Sequence, residues 1–126
     1  MRNYIAVFLV FAGIQLGSAQ HKAEITAMEP ADFQKEILEE GALLIDVRTP
    51  EEFSDGKIKG AKNIDFLSED FVENIKHYNK EKPVFIYCRS GNRSGKAAKI
   101  MANMGFSKII DLKGGFLAWK EFIAKK

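Results

Sequence analysis

The sequence predicts an α/β domain with a small, mainly parallel central sheet of about five strands and helices on both faces. The first observation is that short apolar runs alternate along the chain with amphipathic segments of helical spacing. The second is that the runs at 43–47 and 84–87 are almost continuously apolar, which is typical of parallel strands covered on both faces. The third is that 126 residues, 46% of them hydrophobic, suit one globular domain.

An edge strand is predicted over residues 23–26, ahead of the first helix. That helix is predicted to begin at Pro30, since proline suits the first helical turn. Gly41 ends it, because glycine readily adopts the left-handed conformation that closes helices. Its predicted apolar face consists of Phe33, Ile37 and Leu38.

The run at 43–47 is predicted to be a central strand that carries one acid, Asp46. Thr49-Pro50-Glu51-Glu52 then has the sequence of a capping box, with the threonine at the N-cap and the second glutamate reaching back. A brief strand is predicted over 63–65, and Ser68 is a candidate cap for the next helix. The predicted apolar face of that helix is Phe71, Ile75 and Tyr78.

The second half of the chain repeats the alternation of strands and helices. Residues 84–87 form a predicted buried strand after Pro83, and a helix is predicted to begin near Ser94. Ile109-Ile110 indicates another short buried strand, and Gly114-Gly115 opens a last helix. The apolar residues of these two helices are Ala97, Met101 and Met104, and then Phe116, Trp119 and Phe122 or Ile123.

The loop after the strand at 84–87 begins with Cys88, the only cysteine of the chain. A thiol is nucleophilic as the thiolate, and cationic neighbours or a helix N-terminus favour that form. Arg89 and Arg93 flank the loop, and Gly91 allows it to curl with its N–H groups inward. The alternative is a small buried hydrophobe at a strand end. Because two arginines, two serines and a glycine follow it, we predict that Cys88 is reactive.

Two charged residues at the end of the strand at 43–47 are the other candidates for the site. In parallel sheets the ligand site lies beyond the carboxyl ends of the strands, where Arg48 as well as Cys88 is expected. Asp46 is the kind of buried acid that accepts loop hydrogen bonds or pairs with an arginine. We interpret Asp46 and Arg48 as structural supports of the site, with direct catalysis as the alternative.

Composition argues against several other classes of protein. The net charge of +2 is weak and its lysines are scattered, which argues against a nucleic-acid partner. A single cysteine excludes an intramolecular disulfide and a cysteine-rich zinc site. His21 and His77 lie in an N-terminal tail and on a charged helix, so no metal or other cofactor is expected.

Residues 1–19 have the features of a signal peptide, and the domain is predicted to comprise residues 20–126. Arg2 precedes an apolar run, and Gly17-Ser18-Ala19 supplies the small residues that favour cleavage before Gln20. The expected protein is exported, periplasmic or secreted, without stable membrane insertion after cleavage; an uncleaved anchor is the alternative. An unpaired cysteine in an exported protein suggests a reactive role.

Four stretches carry a resemblance to a known family: Leu44-Ile45-Asp46-Val47-Arg48-Thr49-Pro50-Glu51-Glu52-Phe53, Gly56-Lys57-Ile58-Lys59-Gly60-Ala61-Lys62-Asn63-Ile64, Tyr87-Cys88-Arg89-Ser90-Gly91-Asn92-Arg93-Ser94, and Leu112-Lys113-Gly114-Gly115-Phe116-Leu117-Ala118-Trp119. On these stretches the chain resembles single-domain rhodaneses, which are sulfurtransferases. Four matching stretches in the order found in the family are more specific evidence for the resemblance than any one stretch alone. Two positions depart, since the family often has histidine in place of Lys57 and proline in place of Lys59.

The resemblance implies a ping-pong transfer of sulfur through a persulfide on Cys88. The implied partners are a small anionic donor such as thiosulfate and a thiophilic acceptor, either cyanide or a thiol. No general base is needed if the thiol is already ionised, and cationic side chains of the loop suit the anionic donor. The residues expected to bind the substrate are Arg89, Ser90, Gly91, Asn92, Arg93 and Ser94.

Other functions of the same fold remain as alternatives. Dual-specificity phosphatases of related fold carry an arginine six places after the cysteine, where this chain has Ser94; Arg93 comes one place earlier. The tighter loop suits sulfur better than phosphate, which disfavours a phosphatase or an arsenate reductase. Mercaptopyruvate sulfurtransferases usually have small, uncharged loop residues, and non-catalytic binding modules usually lack the cysteine. A persulfide relay to a partner protein uses the same residues and stays open.

Overall fold

Strands and helices alternate along the part of the chain that the computed structural model describes, residues 22–39 and 41–126. The strands are β1 (Glu24–Met28), β2 (Leu43–Asp46), β3 (Lys62–Asn63), β4 (Val84–Tyr87) and β5 (Lys108–Leu112). The helices are α1 (Pro30–Ile37), α2 (Pro50–Asp55), α3 (Phe71–Ile75), α4 (Asn92–Asn103) and α5 (Gly115–Ala124). Within those residues, none of the helices has the length and apolar character to cross a membrane. The predicted signal peptide, residues 1–19, lies outside the described residues and stays a prediction.

The strands form one parallel sheet in the order β1-β5-β4-β2-β3. Parallel neighbours need a crossover, which the intervening helices supply. In this register Asp46 of β2 lies opposite Tyr87 of β4, and Ile86 of β4 lies opposite Asp111 of β5. The predicted α/β class with a parallel sheet of five strands is confirmed. The carboxyl ends of β2, β4 and β5 therefore meet at one edge of the sheet.

Helices cover both faces of the sheet, as predicted. Successive residues of a strand point to opposite faces, so each strand contributes side chains to both layers of helices. On one face α3 and α4 pack against strand residues that include Ile45 and Ile86. On the other face Phe33 of α1 and Trp119 of α5 pack against residues that include Phe85. The faces are apolar on both sides, which explains why the central strands show no alternation of polar and apolar residues.

Several predicted boundaries are wrong by a few residues. The first strand runs from 24 to 28 rather than 23 to 26, and β3 is Lys62–Asn63 rather than 63–65. Helix α4 begins at Asn92 rather than near Ser94, because Gly91 takes a left-handed conformation (φ +113°) and serves as the N-cap. Leu38 does not face the core: it follows α1 and is 78% exposed.

The capping box at the start of α2 is confirmed. Thr49 Oγ1 accepts a hydrogen bond from the Glu52 backbone N–H at 3.3 Å, and Glu52 Oε1 accepts one from the Thr49 N–H at 3.0 Å. Pro50 occupies the first helical turn. This box stabilises the start of a helix of only six residues and fixes the carboxylate of Glu52 against the Thr49 N–H.

Candidate active site

Cys88 lies at the base of the loop that joins β4 to α4. Its Sγ accepts a hydrogen bond from the Gly91 N–H at 3.1 Å and lies 3.4 Å from the Oγ of Ser94. The left-handed Gly91 turns the loop so that this N–H faces the sulfur. Helix α4, twelve residues long, begins at the next residue, so its positive end is close to the sulfur. The predicted strand–loop–helix cup is present, and it favours negative charge on Sγ.

The loop residues predicted to bind substrate differ in their exposure. Arg89, Ser90 and Asn92 are exposed, Gly91 and Arg93 are half-buried, and Ser94 is fully buried. Cys88 itself is only 1% exposed, so its sulfur lies beneath the loop rather than on the surface. The six residues are brought together as predicted, but they occupy different depths around the thiol.

Asp46 and Arg48 form a buried ion pair at the carboxyl end of β2. The Nε of Arg48 donates to Oδ1 and Oδ2 of Asp46 at 2.9 and 3.0 Å, and Nη2 donates to Oδ2 at 2.6 Å. Asp46 Oδ1 also accepts the Arg48 backbone N–H at 2.9 Å. Arg48 Nη2 reaches the carbonyl oxygen of Gly56 at 2.6 Å, which ties the end of α2 to the end of β2. This geometry supports the structural role inferred for the pair.

Aromatic rings enclose the guanidinium of Arg48. Its Cζ lies 4.4 Å from the centroid of the Phe116 ring and 5.5 Å from that of Tyr87. Burial alone would lower the pKa of Arg48, but the hydrogen bonds and charge of Asp46 outweigh it and raise the pKa. Burial also raises the pKa of Tyr87, whose hydroxyl oxygen accepts the Ile58 N–H at 3.0 Å. The floor of the site is therefore a fixed cation between two rings.

Arg93 is held by Glu52, a partner that the sequence did not indicate. Its Nη1 and Nη2 donate to the two carboxylate oxygens of Glu52 at 2.8 and 3.0 Å. These hydrogen bonds, helped by those from Thr49, lower the pKa of Glu52 to about 2 against the opposing effect of burial. The pKa of Arg93 is raised mainly by Glu52 and less by the charge of Cys88. Arg93 was predicted to help bind the substrate anion, and that role stays a prediction; in the structure its guanidinium pairs with Glu52.

The N-terminus of α5 anchors the loop from the other side. The N–H groups of Phe116 and Leu117 donate to the carbonyl oxygens of Cys88 and Arg89 at 2.8 and 3.0 Å. This close approach depends on Gly115, which has a left-handed backbone (φ +66°). A Cβ at Gly115 would lie 2.4 Å from the Arg89 carbonyl oxygen and 2.7 Å from that of Cys88. Gly115 is thus a positioning residue of the loop.

A cleft of about 240 Å³ opens beside the loop between α2 and α5. It contains two exposed cationic side chains, Arg89 and Lys120, and also the carboxylate of Glu52. A larger groove of about 370 Å³ lies at the amino ends of the strands, next to Gly41 and Pro83. Since ligands of parallel sheets bind beyond the carboxyl ends, the smaller cleft is the better candidate for the substrate. The residues that line it are Arg48, Glu52, Asp55, Gly56, Arg89, Phe116, Leu117 and Lys120.

Three residues at this end of the sheet were missed by sequence reasoning: Glu52, Gly115 and Asp111. Glu52 was assigned to the capping box alone, and nothing local links it to Arg93, 41 positions later. Gly115 was interpreted only as a helix start. Asp111 had a signal that could have found it, because it interrupts the apolar strand β5 just as Asp46 interrupts β2.

Comparison with known proteins agrees with this architecture. The Rhodanese-like domain model matches residues 29–122. The thiosulfate sulfurtransferase GlpE of Ectopseudomonas mendocina is 35% identical over 99 residues, which cover 78% of this chain and 87% of that protein. The uncharacterized protein YqhL of Bacillus subtilis is 45% identical over 78 residues, covering 62% of this chain but only 60% of that protein. The crystal structure of a rhodanese-related protein from Thermoplasma volcanium superposes with a TM-score of 0.68 at 29% identity, covering 77% of this chain and 92% of that one. The chain therefore belongs to the rhodanese-like domain family, whose members resembling it include thiosulfate sulfurtransferases.

Proposed function

We propose that this protein moves sulfane sulfur from a small anionic donor such as thiosulfate to a thiophilic acceptor through a persulfide on Cys88. The observation that carries the proposal is the position of Cys88 Sγ, which accepts the Gly91 N–H at 3.1 Å beside the N-terminus of α4. A hydrogen-bond donor and a positive helix end both stabilise a thiolate, the form that attacks sulfur. The same groups can hold the charged terminal sulfur of a persulfide.

The sulfur transfer takes two steps, and bonds and electron pairs balance in each. In the first, the thiolate of Cys88 attacks the outer sulfur of thiosulfate; a sulfur–sulfur bond forms, and the old one breaks with its electron pair leaving on sulfite. In the second, cyanide or a thiolate attacks the terminal sulfur of the persulfide. That sulfur leaves as thiocyanate or a new persulfide, and the electron pair of the broken bond returns to Cys88 as thiolate.

Arg89 is the cation best placed to guide the anionic donor. It is exposed at the mouth of the cleft, adjacent to Cys88, whereas Arg93 is occupied by Glu52 and Arg48 by Asp46. A guanidinium can pair with sulfonate-like oxygens through two hydrogen bonds, which a solvated surface lysine does less well. The donor anion is therefore expected to bind Arg89 before its outer sulfur reaches Cys88.

A cysteine-dependent phosphatase is less well supported. The position six residues after the cysteine holds Ser94, which is fully buried with its hydroxyl 3.4 Å from the sulfur. A phosphate ligand needs several hydrogen-bond donors around three oxygens. Here the position of Ser94 carries a hydroxyl directed at the sulfur and no guanidinium.

Arg89→Ala is expected to raise the KM for thiosulfate about tenfold with a smaller change in kcat, because it removes a charge-assisted contact to the donor. Its folding should be unaffected, since the side chain is exposed. The matched control is Lys96→Ala, which removes an exposed cation from α4 outside the cleft. The measurement is the KM for thiosulfate of each variant, from steady-state kinetics with varied thiosulfate. An Arg89→Ala enzyme with the KM of Lys96→Ala would refute the role of Arg89.

The intact mass of the protein tests the proposed function itself. After incubation with thiosulfate and removal of excess donor, the chain should gain the mass of one sulfur atom, because its single cysteine can hold one persulfide. Cyanide should then restore the original mass and release thiocyanate. A chain whose mass is unchanged by thiosulfate, under conditions where its fold is intact, would contradict the proposal.

A further inference from the structure

Glu52 lines the candidate substrate cleft, although a carboxylate repels an anionic donor. Its two oxygens accept hydrogen bonds from Arg93 Nη1 and Nη2 at 2.8 and 3.0 Å. Oε1 also accepts the backbone N–H and the hydroxyl of Thr49, at 3.0 and 3.1 Å. These contacts, those from Arg93 above all, lower the pKa of Glu52 to about 2, so the carboxylate is charged at neutral pH. A negative charge fixed this firmly beside a site for anions calls for an explanation.

The arginines around the thiol differ in how a carboxylate engages them. Arg48 is buried in its pair with Asp46 and cannot turn toward a ligand. Arg89 is exposed and forms no ion pair within residues 22–39 and 41–126. The side chain of Arg93 is 20% exposed, and its guanidinium lies within hydrogen-bond distance of a residue that lines the cleft. Glu52 takes both of its terminal nitrogens, which would otherwise be available to a bound anion.

We propose that Glu52 is a positioning residue which, by pairing with Arg93, keeps the binding of oxyanions in the cleft weak, so that sulfite leaves after the first step and the acceptor can enter. The part played by sulfite rests on the function proposed above. The restraint of Arg93 rests on the geometry of the two side chains alone.

Weak binding suits this order of steps because the donor and the first product resemble each other. Thiosulfate and sulfite are both anions that present three oxygens on one sulfur, so a second guanidinium would stabilise both of them. Binding strengthened equally for substrate and product lowers the KM and slows the release of product. Since the acceptor must reach the terminal sulfur of the Cys88 persulfide, sulfite that stayed in the cleft would block the second step.

The test compares Glu52→Gln with Glu51→Gln, because each removes one negative charge from the first turn of α2. Glutamine can still accept the Thr49 N–H, so the capping box should be retained, and urea unfolding checks this. Glu51 is exposed and does not line the cleft. Both substitutions are made in the Cys88→Ser protein, which cannot form a persulfide, and the Kd for sulfite is measured by following backbone amide signals in NMR titrations.

The Kd for sulfite should fall about three- to tenfold in Glu52→Gln, because the guanidinium of Arg93 gains charge-assisted hydrogen bonds to the anion. In Glu51→Gln the Kd should equal that of the Cys88→Ser parent. An unchanged or raised Kd in Glu52→Gln would overturn the proposal, as would the same fall in Glu51→Gln.

Substitutions of Arg93 separate its contribution from that of net charge. Arg93→Gln added to Glu52→Gln should return the Kd for sulfite to about that of the parent, because two neutral side chains then replace a neutral ion pair. Arg93→Gln alone should raise the Kd, because Glu52 is then an unpaired carboxylate in the cleft. Tighter binding that persists in Glu52→Gln without Arg93 would overturn the part assigned to Arg93.

Steady-state kinetics with Cys88 present test the consequence for turnover. Glu52→Gln should lower the KM for thiosulfate and strengthen inhibition by sulfite by a similar factor, without raising kcat. A residue with a merely structural role would instead give a higher KM and unchanged inhibition by sulfite, and that result would contradict the proposal.

The binding measurement does not depend on whether sulfur is transferred. A protein that gains no sulfur from thiosulfate, but binds sulfite more tightly after Glu52→Gln, would refute the proposed function and leave the restraint of Arg93 intact. A protein that does gain sulfur, but binds sulfite equally with and without Glu52→Gln, would refute this inference alone.

Discussion

Cys88→Ser is expected to abolish sulfur transfer completely while the fold is retained. A hydroxyl at this position is neither ionised at neutral pH nor able to form a persulfide, so thiosulfate should leave the mass of the variant unchanged and no thiocyanate should form. Serine is nearly the size of cysteine, and its oxygen can accept the Gly91 N–H that now binds Sγ. We therefore expect a loss of at most about 2 kcal/mol in the free energy of unfolding.

Ser107→Ala is the matched control for this substitution, because it removes a hydroxyl from an exposed residue that precedes β5, at the opposite end of the sheet. That variant should keep both the mass gain and most of the turnover. Urea unfolding of the two variants checks that any lost activity is not lost folding. A Cys88→Ser protein that still gains one sulfur atom would mean that the sulfur is carried elsewhere.

Gly115→Ala is expected to have the largest effect on stability. The left-handed backbone at this residue costs a side chain about 1–2 kcal/mol. The added Cβ would also lie 2.4 Å from the Arg89 carbonyl oxygen, so the start of α5 must move away from the loop. Overpacking of this kind typically costs a further 1–3 kcal/mol. Urea unfolding should show a loss of about 3 kcal/mol or more, and turnover of the remaining folded protein should fall because the loop loses its two anchoring hydrogen bonds.

Gly95→Ala is the control, and its expected effect on the free energy of unfolding is the opposite one. Gly95 lies within α4 with a helical backbone, and a Cβ there would meet nothing within 4 Å. Alanine is favoured over glycine in helices by about 1 kcal/mol, so this variant should be as stable as the wild type or more so. If Gly115→Ala unfolded at the same urea concentration as Gly95→Ala, the contact between α5 and the loop would not have the importance assigned to it.

Much of the fold could be predicted because its signals are local. Residues 84–87 are apolar without alternation and α4 has helical spacing, so the order of elements around Cys88 followed from short windows of sequence. Boundaries were less accurate, because they depend on backbone conformation that neighbouring residues share. Gly91 is an example: it caps α4 with a left-handed backbone, and the helix therefore begins at Asn92 rather than near Ser94, where it was predicted to begin.

The candidate site was predicted in part for the same reason. Cys88 and its loop are contiguous, and Asp46 and Arg48 are two residues apart, so their proximity could be foreseen. The roles of the two loop arginines could not be distinguished. Arg93 follows Cys88 by five positions, yet its guanidinium is paired with Glu52, which α2 brings beside it from another part of the chain.

By itself, the sequence determined the rhodanese-like family and the end of the sheet at which Cys88 and its loop lie. A lone cysteine followed by cations, after an apolar strand and before a helix, has only one place in a parallel sheet. The tertiary structure alone decided that Arg93 pairs with Glu52 while Arg89 stays exposed, and that Gly115 admits α5 to the loop. These contacts join residues on different crossovers, and strand order and register, which no short window of sequence contains, bring them together.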